Sequence, residues 1–229
     1  LAIGIAVAVG AAIGAVNGYL VAFRGLEPFI VTLGMLALAR GLVYAYTEGS
    51  PVRPEAVDFR AIATSTVAGI PVIGLIWLAL ALAIGFITRR TVLGRRIYAV
   101  GSSKEAAHAS GIPVRSTLLV TYIIAGVLIG FAGFLLASRV GAGTPTAGTL
   151  YELDAIAAVV IGGTALSGGR GRVFGAVVGT LIFGVITNLL VLLNVSTFLQ
   201  DAFRGALILI AILLTTFQFS RRRQRPTIS

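Results

Sequence analysis

The sequence contains no cysteine, a single histidine and few charged residues. The missing cysteines exclude disulfide bonds and thiolate metal sites, and His108 alone cannot build a multi-histidine metal cluster. Charged residues make up only 11% of the 229 residues, against about 25% in a soluble domain. So few charges cannot cover a water-facing surface. A hydrophobic fraction of 57% and a mean hydropathy of +1.00 instead indicate a membrane protein.

Sequence motifs of catalysis are also missing. The chain has no G-x-x-x-x-G-K-[ST] phosphate loop, no H-E-x-x-H zinc motif and no cluster of acidic residues at span centres for proton relay. The glycine-rich run 168–171 lacks the lysine of a phosphate loop and predicts a tight turn. We therefore expect no enzymatic activity, metal or cofactor in this chain. We also expect no nucleic-acid partner, because basic loops explain the net charge of +10 in a membrane protein.

Long apolar runs predict an all-α, polytopic transmembrane bundle that forms a single domain. The predicted spans are 1–22, 29–46, 70–88, 117–138, 153–164, 174–193 and 200–218. Six of them approach the roughly 20 residues that a crossing needs, whereas 153–164 is shorter. The alternative for that segment is a re-entrant hairpin, which would place the C-terminal tail outside.

The distribution of basic residues predicts the orientation. The loop 89–116, the tail after residue 218 and two shorter loops hold thirteen Lys and Arg, whereas the remaining loops hold three. The two sets alternate only if 153–164 crosses the membrane. The prediction is then seven passes, with residue 1 outside and both the loop 89–116 and the C-terminus in the cytoplasm.

Glycines spaced by four residues predict close helix packing. Two such ladders and a third small face occur: Gly10, Gly14 and Gly18; Gly171, Gly175 and Gly179; and Gly126, Gly130 and Gly133. In a bilayer, helices associate through the close backbone approach that small residues permit. The ladders indicate a tight bundle but no particular function.

The basic loop contains a short helix whose start and end are both predicted. Ser102 and Glu105 have the spacing of a capping box. Gly111 suits a left-handed C-cap, and Pro113 prevents continuation. A helix over 103–110 is marginal in water alone, so the protein or a partner must hold it. A docking element for a cytoplasmic partner and an interfacial helix on anionic lipid headgroups fit this pattern equally well.

Five polar residues are candidates for lining a pathway: Asn17, Glu152, Asp154, Thr164 and Asn188. All except Thr164 have a second interpretation. Thr149 and Glu152 have capping-box spacing, and both carboxylates fall in a first helical turn, which the helix dipole favours. The two asparagines could instead form hydrogen bonds between helices.

The run from Pro145 to Arg172, which includes Ala-Val-Val-Ile-Gly-Gly-Thr-Ala-Leu-Ser-Gly-Gly-Arg-Gly-Arg, closely resembles the permease subunits of ribose- and xylose-type ABC sugar importers. The same resemblance extends to 29–34, 47–51, 93–101, 105–107 and 110–112, and so to essentially the whole chain. Members of that family have about ten spans. An N-terminally incomplete chain is therefore expected.

The resemblance implies transport by alternating access across a bacterial or archaeal plasma membrane. Two permease copies, identical or paralogous, would form the pathway in contact with membrane lipid. Cytoplasmic ABC ATPase subunits would drive it, and an external binding protein would deliver a pentose or hexose. The residues implied in ATPase coupling are Gly101, Ser102, Glu105, Ala106, Ala107, Ser110 and Gly111. The alternatives are a permease for branched-chain amino acids or nucleosides, and a channel or scaffold that needs no ATPase.

Overall fold

The computed structural model describes residues 1–54, 57–196, 198–203, 205, 206 and 209. Its helices are α1 Ala2–Phe23, α2 Pro28–Thr47, α3 Ala61–Thr64, α4 Val72–Arg90, α5 Val92–Ser102, α6 Lys104–Ala109, α7 Val114–Val140, α8 Tyr151–Ile161 and α9 Val173–Leu192. A 3-10 helix, Val57–Arg60, precedes α3, and β1 Thr66–Val67 pairs antiparallel with β2 Ile70–Pro71. The predicted all-α bundle is confirmed.

Five of these helices are long and apolar enough to cross a membrane: α1, α2, α4, α7 and α9. Each begins and ends within three residues of a predicted span, so the chain is a multi-pass membrane protein. The predicted span 153–164 corresponds to α8, which has only 11 residues. The predicted span 200–218 lies largely outside the described residues. The count of seven passes stays a prediction.

Helices α1 and α7 lie antiparallel and touch backbone to backbone. A Cβ atom added to Gly10 would overlap the carbonyl oxygen of Gly126, and one added to Gly14 would overlap that of Tyr122. Gly18 and Gly130 belong to the same contact, which confirms the first ladder. The predicted third face is wrong at Gly133, where an added Cβ atom would have nothing within 4 Å, so this glycine points away from α1.

Helix α7 connects two ends of the bundle. The end at which it starts carries α5 and α6, and we call it the coupling end. At its other end, the hydroxyl of the fully buried Ser138 donates to the carbonyl of Phe59 at 2.7 Å. The rings of Phe59 and Phe134 meet edge to face at 5.6 Å, and Val52 pairs with Gly143. We call this second end, which also carries the β1–β2 turn, the hairpin end.

The chain returns from the hairpin end to the coupling end through α8 and the loop 162–172. Helix α8 begins beside Arg139 of α7, and its end packs against α9, where a Cβ on Gly175 would overlap the Gly162 carbonyl. The loop then reaches α5. Its backbone is bonded internally, with Ala165 N donating to the Arg170 carbonyl at 3.0 Å. Non-helical backbone in a membrane protein needs such internal satisfaction.

Candidate functional site

The short helix α6 is capped at its start by Ser103, not by Ser102 as predicted. The Ser103 hydroxyl accepts a hydrogen bond from Ala106 N at 3.1 Å and donates to Glu105 Oε2 at 3.0 Å. Ser102 is instead the last residue of α5. Two adjacent serines offered the same cap, and the longer helix upstream decides which one is free to supply it.

The end of α6 is as predicted. Gly111 has a φ of +75°, the left-handed conformation that glycine adopts without strain. Its N–H donates to the His108 carbonyl at 2.9 Å, and Ile112 N donates to the Ala107 carbonyl at 3.0 Å. This pair of bonds is the Schellman motif, which satisfies the last carbonyls of a helix. Both ends of α6 are therefore fixed by local interactions.

Most of the residues predicted to couple to an ATPase are exposed: Gly101, Ser102, Glu105, Ala106, Ser110 and Gly111. Ala107 is the exception at 3% exposure, so it faces the protein and anchors α6. Hydrogen bonds from the Glu105 backbone N–H and then from the Ser103 hydroxyl lower the pKa of the Glu105 carboxyl. Glu105 is thus an exposed, ionised group on a helix that the buried Ala107 anchors to the protein.

Helix α5 was missing from the sequence prediction, which treated 89–103 as loop. Thr91 both ends α4 and caps α5, because its hydroxyl oxygen accepts from Gly94 N at 3.2 Å. A Cβ on Gly94 would lie 2.5 Å from the Ile87 carbonyl oxygen, so the turn between α4 and α5 needs glycine there. The spacing Thr91-x-x-Gly94 was the available signal for the start of a helix. The segment is rich in arginine, however, and that composition led to the prediction of a loop.

The coupling end carries most of the basic residues in the described part of the chain. They are Arg24, Arg89, Arg90, Arg95, Arg96, Lys104, Arg115, Arg170 and Arg172. The hairpin end carries Arg53, Arg60 and Arg139. Loops that are distant in sequence thus bring basic residues to the coupling end, where Lys104 and Arg115 line one groove with Glu105 and His108 of α6.

A cavity of about 760 Å³ lies between α8 and α9 toward the hairpin end. Its polar lining comes from three helices: Arg139 of α7, Tyr151 and Asp154 of α8, and Thr180, Thr187 and Asn188 of α9. The remainder of the wall is apolar, including Phe183 and Val191. Hydrogen-bonding groups of both kinds therefore face one space beside a membrane-spanning helix.

Two of the five predicted pathway residues, Asp154 and Asn188, line this cavity. The other three lie elsewhere. Asn17 is buried on the α7-facing side of α1, Glu152 is exposed, and Thr164 packs against Gly171 in the loop 162–172. The antiparallel contact of α8 with α9 is what brings Asp154 and Asn188 to the same cavity, although they are distant in sequence.

The predicted capping box at the start of α8 is wrong. The N-cap position is Leu150 in a left-handed conformation, with no side-chain cap. The Thr149 hydroxyl instead donates to the Thr146 carbonyl at 2.8 Å within the preceding turn. Glu152 and Asp154 do lie in the first turn of α8, where the helix dipole favours negative charge.

The second glycine ladder contributes to the wall of this cavity. A Cβ on Gly179 would overlap the carbonyl oxygen of Ala158 and lie 2.8 Å from Gly162 N. Gly175 meets Gly162 in the same way, whereas Gly171 lies in the loop and contacts Thr164. Glycine contacts thus hold α8 and α9 together as one unit.

Comparison with known proteins gives one family. Residues 1–212 match the family described as "Branched-chain amino acid transport system / permease component". No solved structure matches the chain.

Several transport permeases are similar to the chain. It is 45% identical over 208 residues to the D-allose transport system permease protein of Escherichia coli strain K12, covering 91% of this chain and 64% of that protein. The ribose import permease protein of Bacillus subtilis strain 168 is 43% identical over 200 residues, with coverage of 86% and 62%. The galactose/methyl galactoside import permease protein of Salmonella typhimurium strain LT2 is 38% identical over 230 residues, with coverage of 97% and 68%. The chain thus spans about two thirds of the length of these relatives.

Proposed function

The chain belongs to the permease-component family that matches residues 1–212, and we propose that it forms part of the membrane pathway of an ATP-driven sugar importer. The observation that carries this proposal is α6, an exposed helix that is fixed at both ends by its own caps and lies at the basic coupling end. The names of the relatives, which describe permeases for allose, ribose and galactose, support a sugar as the substrate.

In this proposal the coupling end faces the cytoplasm of a bacterial or archaeal cell, because basic segments remain on that side. The hairpin end then faces outward, where an external sugar-binding protein would dock. The path of the chain supports a crossing at α8, since α8 and the loop 162–172 connect the two ends. The seventh pass rests on the apolar run 200–218 in the sequence. The C-terminal tail, with its four arginines after residue 218, would lie in the cytoplasm.

Cytoplasmic ABC ATPase subunits would seat α6, and a second permease copy, identical or paralogous, would complete the pathway. The exposed Glu105, Ala106 and Ser110 are the residues that would meet the ATPase, and the buried Ala107 would transmit the push into the bundle. ATP hydrolysis would take place on the partner subunits. This chain would need no cofactor or metal of its own.

A photo-cross-linker tests the seating of α6. It is placed at His108, which is exposed on α6, in the full-length permease purified with its ATPase subunits. We expect an adduct with the ATPase. The matched control places the same group at Val67, which is also exposed but lies on the hairpin end, and should give none. Adducts from neither site or from both, in a well-folded complex, would contradict the docking role.

The cavity between α8 and α9 is the part of the pathway in which we propose that the sugar makes hydrogen bonds. The amide of Asn188 and the carboxylate of Asp154 offer both donors and acceptors, and Tyr151 adds an aromatic ring. Asn188 lies on a membrane-spanning helix and is exposed within the described chain. A polar group in that position is costly against lipid, so such residues face a polar path or a partner.

Uptake assays test this assignment. Asp154→Asn and Asn188→Leu, in the complete importer, should reduce sugar uptake at saturating binding protein. Glu152→Gln is the matched control, because Glu152 shares the first turn of α8 but does not line the cavity. Uptake that falls equally in the control, or remains unchanged in both cavity variants, would show that the sugar does not contact these residues.

A branched-chain amino acid is the second candidate substrate. Arg139 and Asp154 line the same cavity, and a zwitterion calls for opposite charges in its path. Uptake of labelled ribose, allose, galactose and leucine by one importer preparation separates the two candidates. Leucine uptake without sugar uptake would favour the amino acid.

A further inference from the structure

The end of α5 is held against the loop 162–172 by a side-chain hydrogen bond and by glycine contacts. The hydroxyl of Tyr98 donates to the Gly171 carbonyl at 2.9 Å, across 73 residues of sequence. Gly101 lies so close that a Cβ atom there would be 2.9 Å from Gly169 N. A Cβ on Gly169 would be 2.6 Å from Ser102 Cα. We call this contact, made by Tyr98, Gly101 and Ser102 with residues 168–171, the latch.

Glycine is needed in the loop for two reasons. Gly168 and Gly169 have φ values of +86° and +69°, a conformation that other residues adopt only with strain. Both also touch α5 at distances that leave no room for a side chain. Shape and conformation thus fit the loop to α5 specifically, in contrast with Gly163, which has a positive φ but nothing within 4 Å.

The latch connects the two parts of the proposed site. On one side, α5 leads into α6 through the single residue Ser103, whose backbone N–H bonds to the Ala99 carbonyl at 3.2 Å and whose hydroxyl caps α6. On the other side, the loop joins α8 directly to α9. These two helices are held together through Gly162 and Gly175. A displacement of α6 therefore has a continuous packed route to the walls of the cavity.

We propose that the latch transmits the movement of α6 to α8 and α9, and that Tyr98 is the positioning residue that keeps it closed. This inference rests on the proposed docking of an ATPase at α6. A push on α6 turns α5, the Tyr98 hydroxyl and the glycine contacts carry the loop with it, and the α8–α9 unit moves as one body. Tyr98 is not among the residues that line the cavity, and its hydroxyl bonds to the loop, so the loop is the route through which it would act.

The test compares Tyr98→Phe with Tyr122→Phe in the full-length permease, assembled with its ATPase subunits and binding protein in proteoliposomes. Tyr122 is also half-buried, but no hydrogen bond is described for its hydroxyl. Removing the Tyr98 hydroxyl costs about one hydrogen bond, which lowers the ratio of latched to open states roughly fivefold. We therefore expect sugar transported per ATP hydrolysed to fall by up to about fivefold, with assembly and basal ATP hydrolysis retained.

A distance measurement separates transmission from a merely structural role. Paired spin labels, one on each permease copy, are placed at Ala109 on α6 or at Leu181 on α9, both exposed. ATP binding should change both distances in the parent protein, and Tyr98→Phe should retain the change at α6 but reduce that at α9. Gly169→Ala, which opens the latch by overlap, should do the same.

Three results overturn the latch. They are an unchanged transport ratio in Tyr98→Phe, an α9 distance that responds fully to ATP in that variant, and an α9 distance that does not respond in the parent protein although the α6 distance does. Failure of the proposed function has different signatures. A parent complex in which neither distance responds to ATP contradicts the docking at α6, and one that hydrolyses ATP and moves α9 but carries no sugar contradicts the substrate.

Discussion

Substitution of Gly14 by alanine should destabilise the bundle by opening the contact between α1 and α7. A Cβ atom there would overlap the Tyr122 carbonyl oxygen and lie 3.2 Å from Gly126 Cα, whereas an ordinary contact of carbon with a carbonyl oxygen is about 3.3–3.6 Å. The three nearest atoms are all backbone, so no side-chain movement relieves the overlap and the helices must separate. Overpacking of this kind costs about 1–3 kcal/mol.

The free energy of unfolding in mixed micelles, measured by denaturant titration of the full-length protein, checks this cost. Gly133→Ala is the matched control, because Gly133 lies on the partner helix of this contact, α7, with nothing within 4 Å. There, alanine should be neutral or stabilising by up to about 1 kcal/mol through helix propensity. Equal effects of Gly14→Ala and Gly133→Ala would refute the close backbone contact.

Three further predictions concern individual residues. Ser138→Ala removes the bond to the Phe59 carbonyl, and we expect a loss of about 1–3 kcal/mol, seen as faster tryptic cleavage at Arg60. Gly111→Ala forces alanine into a left-handed conformation at a cost of about 1 kcal/mol, and this should increase hydrogen exchange across α6. Gly111→Asn should cost less, because asparagine tolerates this conformation. Glu105 has a lowered pKa, so its ionised form stabilises α6 above the unfolded-state pKa, and that stabilisation is lost as the pH falls through the lower, folded-state pKa. NMR should find the Glu105 midpoint below the usual glutamate range, and exchange rates corrected for pH should show that α6 loses protection as the pH falls through that midpoint.

The membrane-spanning helices could be predicted because lipid imposes a simple condition on sequence. A span must be apolar over about 20 residues, and the five long helices satisfy this condition with clear polar boundaries. The first glycine ladder was equally readable, since close approach of two backbones requires small residues at one helical spacing. The prediction that Gly133 also belongs to a packing face was wrong, because its position on α7 faces away from α1.

The interfacial elements were harder to predict. Helix α5 is rich in arginine and too short to read as a span, so its pattern looks like a loop until Thr91 is seen to cap it. At α6, two consecutive serines made the cap ambiguous by one residue. Local signals of this kind identify a helix but do not fix its first residue.

Contacts between distant segments were beyond sequence reasoning. The bond from Tyr98 to Gly171 depends on how α5 meets the loop 162–172. The meeting of Asp154 with Asn188 at one cavity depends on how α8 packs against α9. Nothing in the spacing of these residues encodes that packing. Two of the five candidates, Asp154 and Asn188, line the cavity, but the sequence could not separate them from Asn17, Glu152 and Thr164, which lie elsewhere. That any of the five lines a pathway stays a prediction.

The most direct test of the account measures sugar uptake driven by ATP in proteoliposomes that contain the full-length permease, its ATPase subunits and its binding protein. The account predicts uptake by the parent complex and its loss in Glu105→Lys, which reverses the charge on the exposed face of α6 while membrane insertion stays normal. Unchanged uptake and unchanged sugar-stimulated ATP hydrolysis in Glu105→Lys would contradict the claim that α6 couples this permease to an ATPase.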